Sequence, residues 1–322
     1  MNGFGKAVAH SNIALAKYWG KADVAQNLTA VPSLSLTLEA LRTTTTVQFD
    51  AALESDQFLL AGEAISGRPL SRVSRLLDTV RAAAGLTARA RVESRNDFPT
   101  AAGLASSASG FAALALAATQ AAGLEVQTAR VSALARAASA SAARSLYGGY
   151  VALGAAAESA ERVRSATEFP LEMLVAVTVA GPKSTASTDG MGHTQATSPY
   201  YSAWVAHAPA LYAEVRRAVE LADFAALGPA VEQSALMMHA SMMAARPALI
   251  YFAPATLRVM EFVRSFRQQG GAAYFTMDAG PHVKVLVEPA SAPELRTELA
   301  RLEGVTQVLR TAAGPDAYLV EA

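Results

Sequence analysis

The stretch SNIALAKYWGKAD places Lys17, Tyr18, Trp19 and Lys21 within five residues, a high density of groups able to bind anions or handle protons. Far downstream, TMDAGPHV sets Asp278 in a Gly-Pro turn between apolar runs, and SASAARSLYGG puts Ser139, Ser141 and Arg144 ahead of a double glycine. A fourth stretch, FPTAAGLASSASG, carries Gly103, Ser106 and Ser107 in a region without a charged side chain from Phe98 to Leu124. Small residues feeding an apolar helical run gather unpaired N–H groups at the positive end of a helix dipole. That makes an anion site, and phosphate is its commonest occupant. Each stretch also has a plainer reading. The serine stretch could be a capped, Ala-rich core helix, since the Lys that follows the last Gly of the usual phosphate loop is absent. Lys17 and Lys21 could be surface charges, Arg144 a helix C-cap and Asp278 an Asx-turn residue.

The elements that must position these groups are partly readable. TTTTVQFD and RARVESRND are rich in β-branched residues with partial alternation, and both read as strands. Between them PLSRVSRLLDTVRAAAG spaces Val73, Leu76, Leu77 and Val80 as a helix that ends on Gly85. ARVSALARAASASAARSLYGG reads as a second helix running to glycine, and LEMLVAVTVAG as a buried strand broken at Gly181-Pro182. KSTASTDGMGHTQATSP has the composition of a mobile loop. Helices are expected around YSAWVAHAPALYAEVRRAVELADF and LRVMEFVRSFRQQGG, and AAYFTMDAGPHVKVLVE reads strand–turn–strand. Mixed helices and strands in two lobes, 1–183 and 184–322, give an α+β architecture.

Composition excludes several classes. The chain has 322 residues, 52% of them apolar and 17% charged, enough to bury a sizeable core. Lys plus Arg equals Asp plus Glu at 27 each, so charge gives no support for nucleic acid or an anionic membrane as partner. The absence of cysteine removes disulfides, thiolate metal sites and Cys nucleophiles. The five histidines show no metal-ligand spacing, and no metal site is assigned. The N-terminus lacks the apolar core of a signal peptide, and no uncharged run suits a membrane span, so a cytoplasmic protein is expected.

Taken together, NIALAKYWGK, PSLSLTL, RNDFPTAAGLASSASG, SASAARSLYGG, the STDGM…TSP segment and MDAGP resemble the diphosphomevalonate decarboxylases of the GHMP kinase superfamily, from about Asn12 to Val287. The resemblance implies a two-lobed GHMP kinase fold: an N-terminal lobe like ribosomal protein S5 domain 2, a C-terminal ferredoxin-like lobe, and a site in the cleft between them. It implies ATP with Mg²⁺, phosphorylation of the tertiary 3-hydroxyl of (R)-5-diphosphomevalonate, and loss of phosphate and carbon dioxide to give isopentenyl diphosphate. By motif position, Asp278 would face the hydroxyl as base or orienting acceptor. Lys17 would sit beside it, and Arg144 would clamp the C1 carboxylate. Tyr18, Lys21, Ser139 and Ser141 would hold the diphosphate, with Ser187 and Thr188 on a closing loop. Gly103, Ser106 and Ser107 would cradle the nucleotide phosphates, with Ser94 and Asn96 nearer the nucleoside. Members are often homodimers, an implication no feature of this sequence develops.

The sequence departs from the family pattern at His282, where Asn is usual, at Ala140, where Gly is common, and at Thr29 and Val31-Pro32. Ala140 and the 26–33 segment flank the phosphorylated end of the substrate, so they bear on substrate identity more than on chemistry. Three other readings compete: a decarboxylase of 5-phosphomevalonate giving isopentenyl phosphate, a mevalonate 3-kinase without decarboxylation, which the presence of both Lys17 and Asp278 disfavours, and a catalytically silent ligand-binding regulator on the same fold.

Overall fold

The computed structural model describes residues 3–98, 106–178 and 185–321. The chain begins with β1 (Phe4–Ala16), the short β2 (Lys21–Asp23) and β3 (Leu28–Thr29), and the 18-residue β4 (Ser33–Asp50). Then come β5 (Gln57–Leu60), β6 (Glu63–Ala64), α1 (Arg68–Ala84), β7 (Arg89–Asn96) and α2 (Ser106–Ala121). α3 (Thr128–Ala138) runs into a 3₁₀ turn at Ala140–Leu146, followed by β8 (Tyr150–Leu153) and β9 (Glu161–Arg164). The rest comprises β10 (Glu172–Thr178), α4 (Ser187–Thr197), α5 (Tyr201–Leu221), α6 (Phe224–Met243), α7 (Pro254–Gln268), β11 (Ala273–Met277), β12 (Val283–Val287), α8 (Ala292–Leu299), β13 (Val305–Ala312) and β14 (Tyr318–Leu319).

Among the described residues, eight strands make one sheet, ordered β14-β1-β4-β7-β5-β6, with β8 joined to the early part of β4 and β9 to β8. Helices α1, α2 and α3 cover one face through Val73, Leu77, Ala113, Ala117 and Val131. The alanines of α2 let it lie very close to β1: a Cβ on Gly5 would stand 2.1 Å from the carbonyl oxygen of Ala117. The second sheet is antiparallel, ordered β11-β12-β10-β13. A single apolar cluster joins the two sheets, with Leu34 and Leu36 of β4 against Met173 and Val175 of β10 and Leu227 and Val231 of α6.

Most expected elements are observed, and the differences have physical causes. The helix-then-glycine stretch is broken at Ser139, whose extended backbone (φ −156°) ends α3 and restarts the chain as a 3₁₀ turn. The segment expected as a mobile loop contains α4. Gly190 and Gly192 give it poor intrinsic propensity, so packing must supply its stability. Met191 is buried with Trp19, Trp204 and Met238, and Gly190 lets the helix approach Trp19 and Tyr251. α6 has no counterpart among the expected segments. Its start is capped by Asp223, which accepts from the Ala226 N–H at 2.9 Å. Sheet membership changes between Arg164 and Glu172, upstream of the 183/184 division, because β10 pairs with β12 and β13. Gly103 and the Gly181-Pro182 break lie outside the described residues.

Candidate active site

A cleft of about 940 Å³ collects residues from both sheets and from α1, α3 and α4. Lys17, Tyr18, Lys21, Ser107, Ser139, Ser141, Arg144, Ser187, Thr188 and Asp278 all line it. Ser94, Asn96 and Ser106 are not among its lining residues. Ser94 shares a 2.7 Å hydrogen bond with Thr45, and Asn96 accepts one from Thr43 at 2.7 Å, so both are committed to the β4–β7 pairing. Ser106 opens α2, one residue before the lining Ser107.

At the base of the cleft Asp278 leaves the end of β11, and Lys17 follows directly on β1. Lys17 Nζ donates to Asp278 Oδ1 at 2.7 Å and to the Ala14 carbonyl at 2.7 Å. Burial brings the Lys17 ammonium down to about 8 against the raising effect of Asp278. Burial would raise the Asp278 carboxyl, but Lys17 and Lys284 reverse this and hold it well below the usual carboxylate range. Lys284 reaches the same carboxylate from β12, its Nζ 3.3 Å from Oδ2. Such an acid is a weak base and a good hydrogen-bond acceptor.

Arg144 is fully buried, and its fork is fixed by groups of alternating register. Ser33 and Ser35 lie two apart on β4, hence on one face. Arg144 Nη1 donates to Ser33 Oγ at 2.6 Å, Nε to Ser35 Oγ at 2.9 Å, and Nη2 to Asn12 Oδ1 at 3.3 Å. Asn12 is held in turn by donating to Ser145 Oγ at 2.8 Å and to the Ser141 carbonyl at 2.9 Å. A guanidinium has five N–H donors, so the fork keeps capacity for a carboxylate. Burial lowers Arg144 to about 10, still charged at neutral pH.

The other end of the cleft is cationic. Lys21 donates to Asn27 Oδ1, its ammonium stands 5.5 Å from the centre of the Tyr18 ring, and burial with Arg72 and Arg136 nearby lowers it to about 8. Arg72 of α1 stacks on Phe111 and donates to the Ala138 carbonyl at 2.9 Å. Among the described residues lining the cleft, Lys17, Lys21, Arg68, Arg72, Arg75 and Arg144 are cationic and Asp278 is the one carboxylate, while Arg68 also reaches the exposed Asp189 at 3.4 Å. Two departures from the family pattern are accommodated by packing: Ala140 sits among Ala143, Val151 and Leu153, and Val31 beside Trp19. His282 accepts the Thr178 N–H at Nδ1 (3.2 Å), tying the Asp278 turn to the end of β10.

Sequence reasoning missed Lys284, Arg72, Asn12 and His239. Lys284 interrupts a run of buried valines, and that break is the signal that was available. His239 is buried near Lys17 and Asp278; burial and the Lys17 charge lower it to about 3, against the raising effect of Asp278, which keeps it neutral.

An α+β molecule with a cationic cleft and a carboxylate flanked by two lysines matches one class throughout. Residues 9–167 match the diphosphomevalonate decarboxylase-like N-terminal domain, and residues 173–315 match the mevalonate 5-diphosphate decarboxylase C-terminal domain. The chain belongs to the diphosphomevalonate decarboxylase family and is an enzyme of the GHMP kinase fold. It is 32% identical to the phosphomevalonate decarboxylase of Haloferax volcanii, over 87% of this chain and 86% of that protein. It is 31% identical to the diphosphomevalonate decarboxylase of Candida albicans, over 94% of both. Among solved structures, mevalonate diphosphate decarboxylase from Staphylococcus aureus superposes with a TM-score of 0.93 at 38% identity, covering 100% of this chain and 99% of that one. A solved complex with MVAPP, AMPPCP and magnesium gives 0.93 at 42% identity, with both chains covered fully.

Proposed function

We propose that the protein catalyses ATP-dependent decarboxylation of (R)-5-diphosphomevalonate to isopentenyl diphosphate, ADP, phosphate and carbon dioxide. The observation that carries this reading is the Lys17–Asp278 contact of 2.7 Å at the base of a cleft where, among the described lining residues, six are cationic and one is a carboxylate. A tertiary alcohol is a poor nucleophile and hydroxide a poor leaving group, so transfer of a phosphoryl group to the 3-hydroxyl supplies the leaving group. Asp278 accepts the hydroxyl hydrogen bond and orients the oxygen for in-line attack. Lys17 counters charge on the transferring phosphoryl. When the C3–O bond breaks, positive character grows at C3. The C1–C2 bonding pair then becomes the new double bond and carbon dioxide leaves. Arg144 holds the C1 carboxylate through its remaining donors.

The donors present suit a nucleotide triphosphate. Ser107 brings the N-terminus of α2 to the cleft for the nucleotide, and Ser187 and Thr188 at the start of α4 bring a second helix N-terminus toward the substrate. Magnesium would arrive with the nucleotide and neutralise phosphate charge. The relative with MVAPP, AMPPCP and magnesium bound supports this pairing of ligands. Lys21, Tyr18, Ser139 and Ser141 take the substrate diphosphate, and Gly103 and Ser106 join Ser107 on the nucleotide side; Ser94 and Asn96, bonded to Thr45 and Thr43, would support the nucleoside end from behind the cleft lining.

The Haloferax relative favours a second reading, the monophosphate substrate. The test is turnover on 5-phosphomevalonate and 5-diphosphomevalonate side by side, with ADP and carbon dioxide both quantified. The diphosphate should be preferred, with the two products in equal amounts. Preference for the monophosphate would establish the second reading, and ADP without carbon dioxide would leave a kinase. Neither product from either substrate would point to a silent regulator.

A further inference from the structure

Lys284 is a charged residue at a position whose neighbours along the strand are apolar. It occupies the middle of β12, where Val283, Val285, Leu286 and Val287 are all buried, and is itself 1% exposed. Its neighbours across the sheet are Thr276 of β11 and Val175 of β10. A well-packed apolar side chain commonly serves such a position as well as an ion or better. What the ammonium does reach is the carboxylate: Nζ lies 3.3 Å from Asp278 Oδ2 and 3.3 Å from the His282 carbonyl.

We propose that Lys284 is a positioning residue of the reaction: it pins Oδ2 of Asp278, so that Lys17 can transfer its contact from Oδ1 to the phosphoryl group without the carboxylate turning or taking up a proton. The two lysines differ in the way this requires. Lys17 lines the cleft and Lys284 does not, so Lys17 alone is available to a ligand. The groups facing Asp278 are Lys17 from β1, Lys284 from β12, neutral His239 from α6 and Arg144 from the 3₁₀ turn. Once Lys17 engages phosphate, Lys284 is the cation in contact that still offsets the burial of the acid.

The inference rests on Asp278 facing the reacting hydroxyl, and the test separates the two. Lys284→Met and Lys284→Gln are assayed for ADP release from ATP and 5-diphosphomevalonate, alone and in an Asp278→Asn background. Expected is a fall in kcat of about 10²-fold with both KM values within about threefold. An acid limb in kcat, absent from wild type, should appear as the less-compensated carboxyl protonates on lowering the pH. In the Asp278→Asn background the same substitutions should change the residual rate less than about twofold. An unaltered acid side of the pH profile, or losses that multiply with Asp278→Asn, would overturn the role of Lys284. Undiminished turnover in Asp278→Asn alone would instead overturn the placement of Asp278. Should the Met variant fail to fold, the Gln variant, which keeps a hydrogen-bonding end, carries the same comparison.

Discussion

Arg81 and Lys17 are both buried cations bonded to an aspartate, yet their surroundings assign them different work. Arg81 of α1 meets Asp56 through two parallel bonds of 2.9 and 3.0 Å, and Asp56 also accepts the Ala90 N–H at 2.9 Å. Both side chains are closed off from solvent and from the cleft. Asp278 is instead 28% exposed to the cavity and is met by two lysines, so the cluster holds more positive charge than it can internally balance. A closed, matched pair fixes α1 against β7. An open, over-cationic one awaits an anion, and its charges are useful because they are incompletely satisfied.

The largest effect expected is loss of turnover when the open cluster is broken. Asp278→Asn keeps size and hydrogen bonding but removes the charge that Lys17 and Lys284 share. Removing a positioned acid–base or orienting group costs about 10²–10⁴-fold, and the upper end is expected here because orientation is lost as well. ADP and carbon dioxide should fall together, since phosphorylation comes first, while the folded state persists. Near-wild-type ADP formation would return Asp278 to an ordinary turn residue; ADP without carbon dioxide would move its role to the second step.

Breaking the closed pair should do the reverse. Asp56→Asn leaves the buried Arg81 poorly compensated, with Asp78 as its remaining acidic partner, and should cost about 3 kcal/mol in denaturant unfolding. Turnover per folded molecule should stay within about twofold. Burial would raise the Asp56 carboxyl, but Arg81 holds it below its ordinary 3.8, so its contribution is complete above that value. It is lost as the pH falls through the lower folded value. A tenfold loss of kcat in a variant of unchanged stability would show that the pair is coupled to the cleft.

The two regions also differ in how readable they are. The chemistry of the cleft is written in short strings, because Lys17, Tyr18 and Lys21 fall in one stretch and Ser139, Ser141 and Arg144 in another, and the cleft gathers the two. The α1 helix, the β11–turn–β12 unit and the strand at β7 follow from periodicity and turn residues. What escaped depends on contacts between distant segments. Lys284 looks like an ordinary charge until the second sheet brings it to Asp278. Arg72 looks like the wet face of an amphipathic helix until the cleft forms beside it. α4 contains two glycines and reads as a loop, because the Trp19–Met191–Trp204 cluster that holds it is assembled from remote parts of the chain.

The smallest effect expected lies at the far end of the cleft, and it sharpens the comparison by pH. In the proposed arrangement Lys21 would meet the part of the substrate distant from C3, and so would bind ground and transition states alike. Lys21→Ala should raise KM for 5-diphosphomevalonate about 10-fold or more with little change in kcat. In the free enzyme burial places both Lys17 and Lys21 at about 8, whereas a bound polyanion would raise them. Since kcat/KM follows the free enzyme and kcat the complex, kcat/KM should bend downward above about pH 8 while kcat stays level. Two lysines losing protons in the same range make that fall steeper than one group allows. Lys21→Arg restores a permanent charge at one of them, so the fall should become shallower, with the bend from Lys17 remaining. A profile for Lys21→Arg that superimposes on wild type would remove Lys21 from the substrate site. A KM unchanged in Lys21→Ala would do the same at neutral pH.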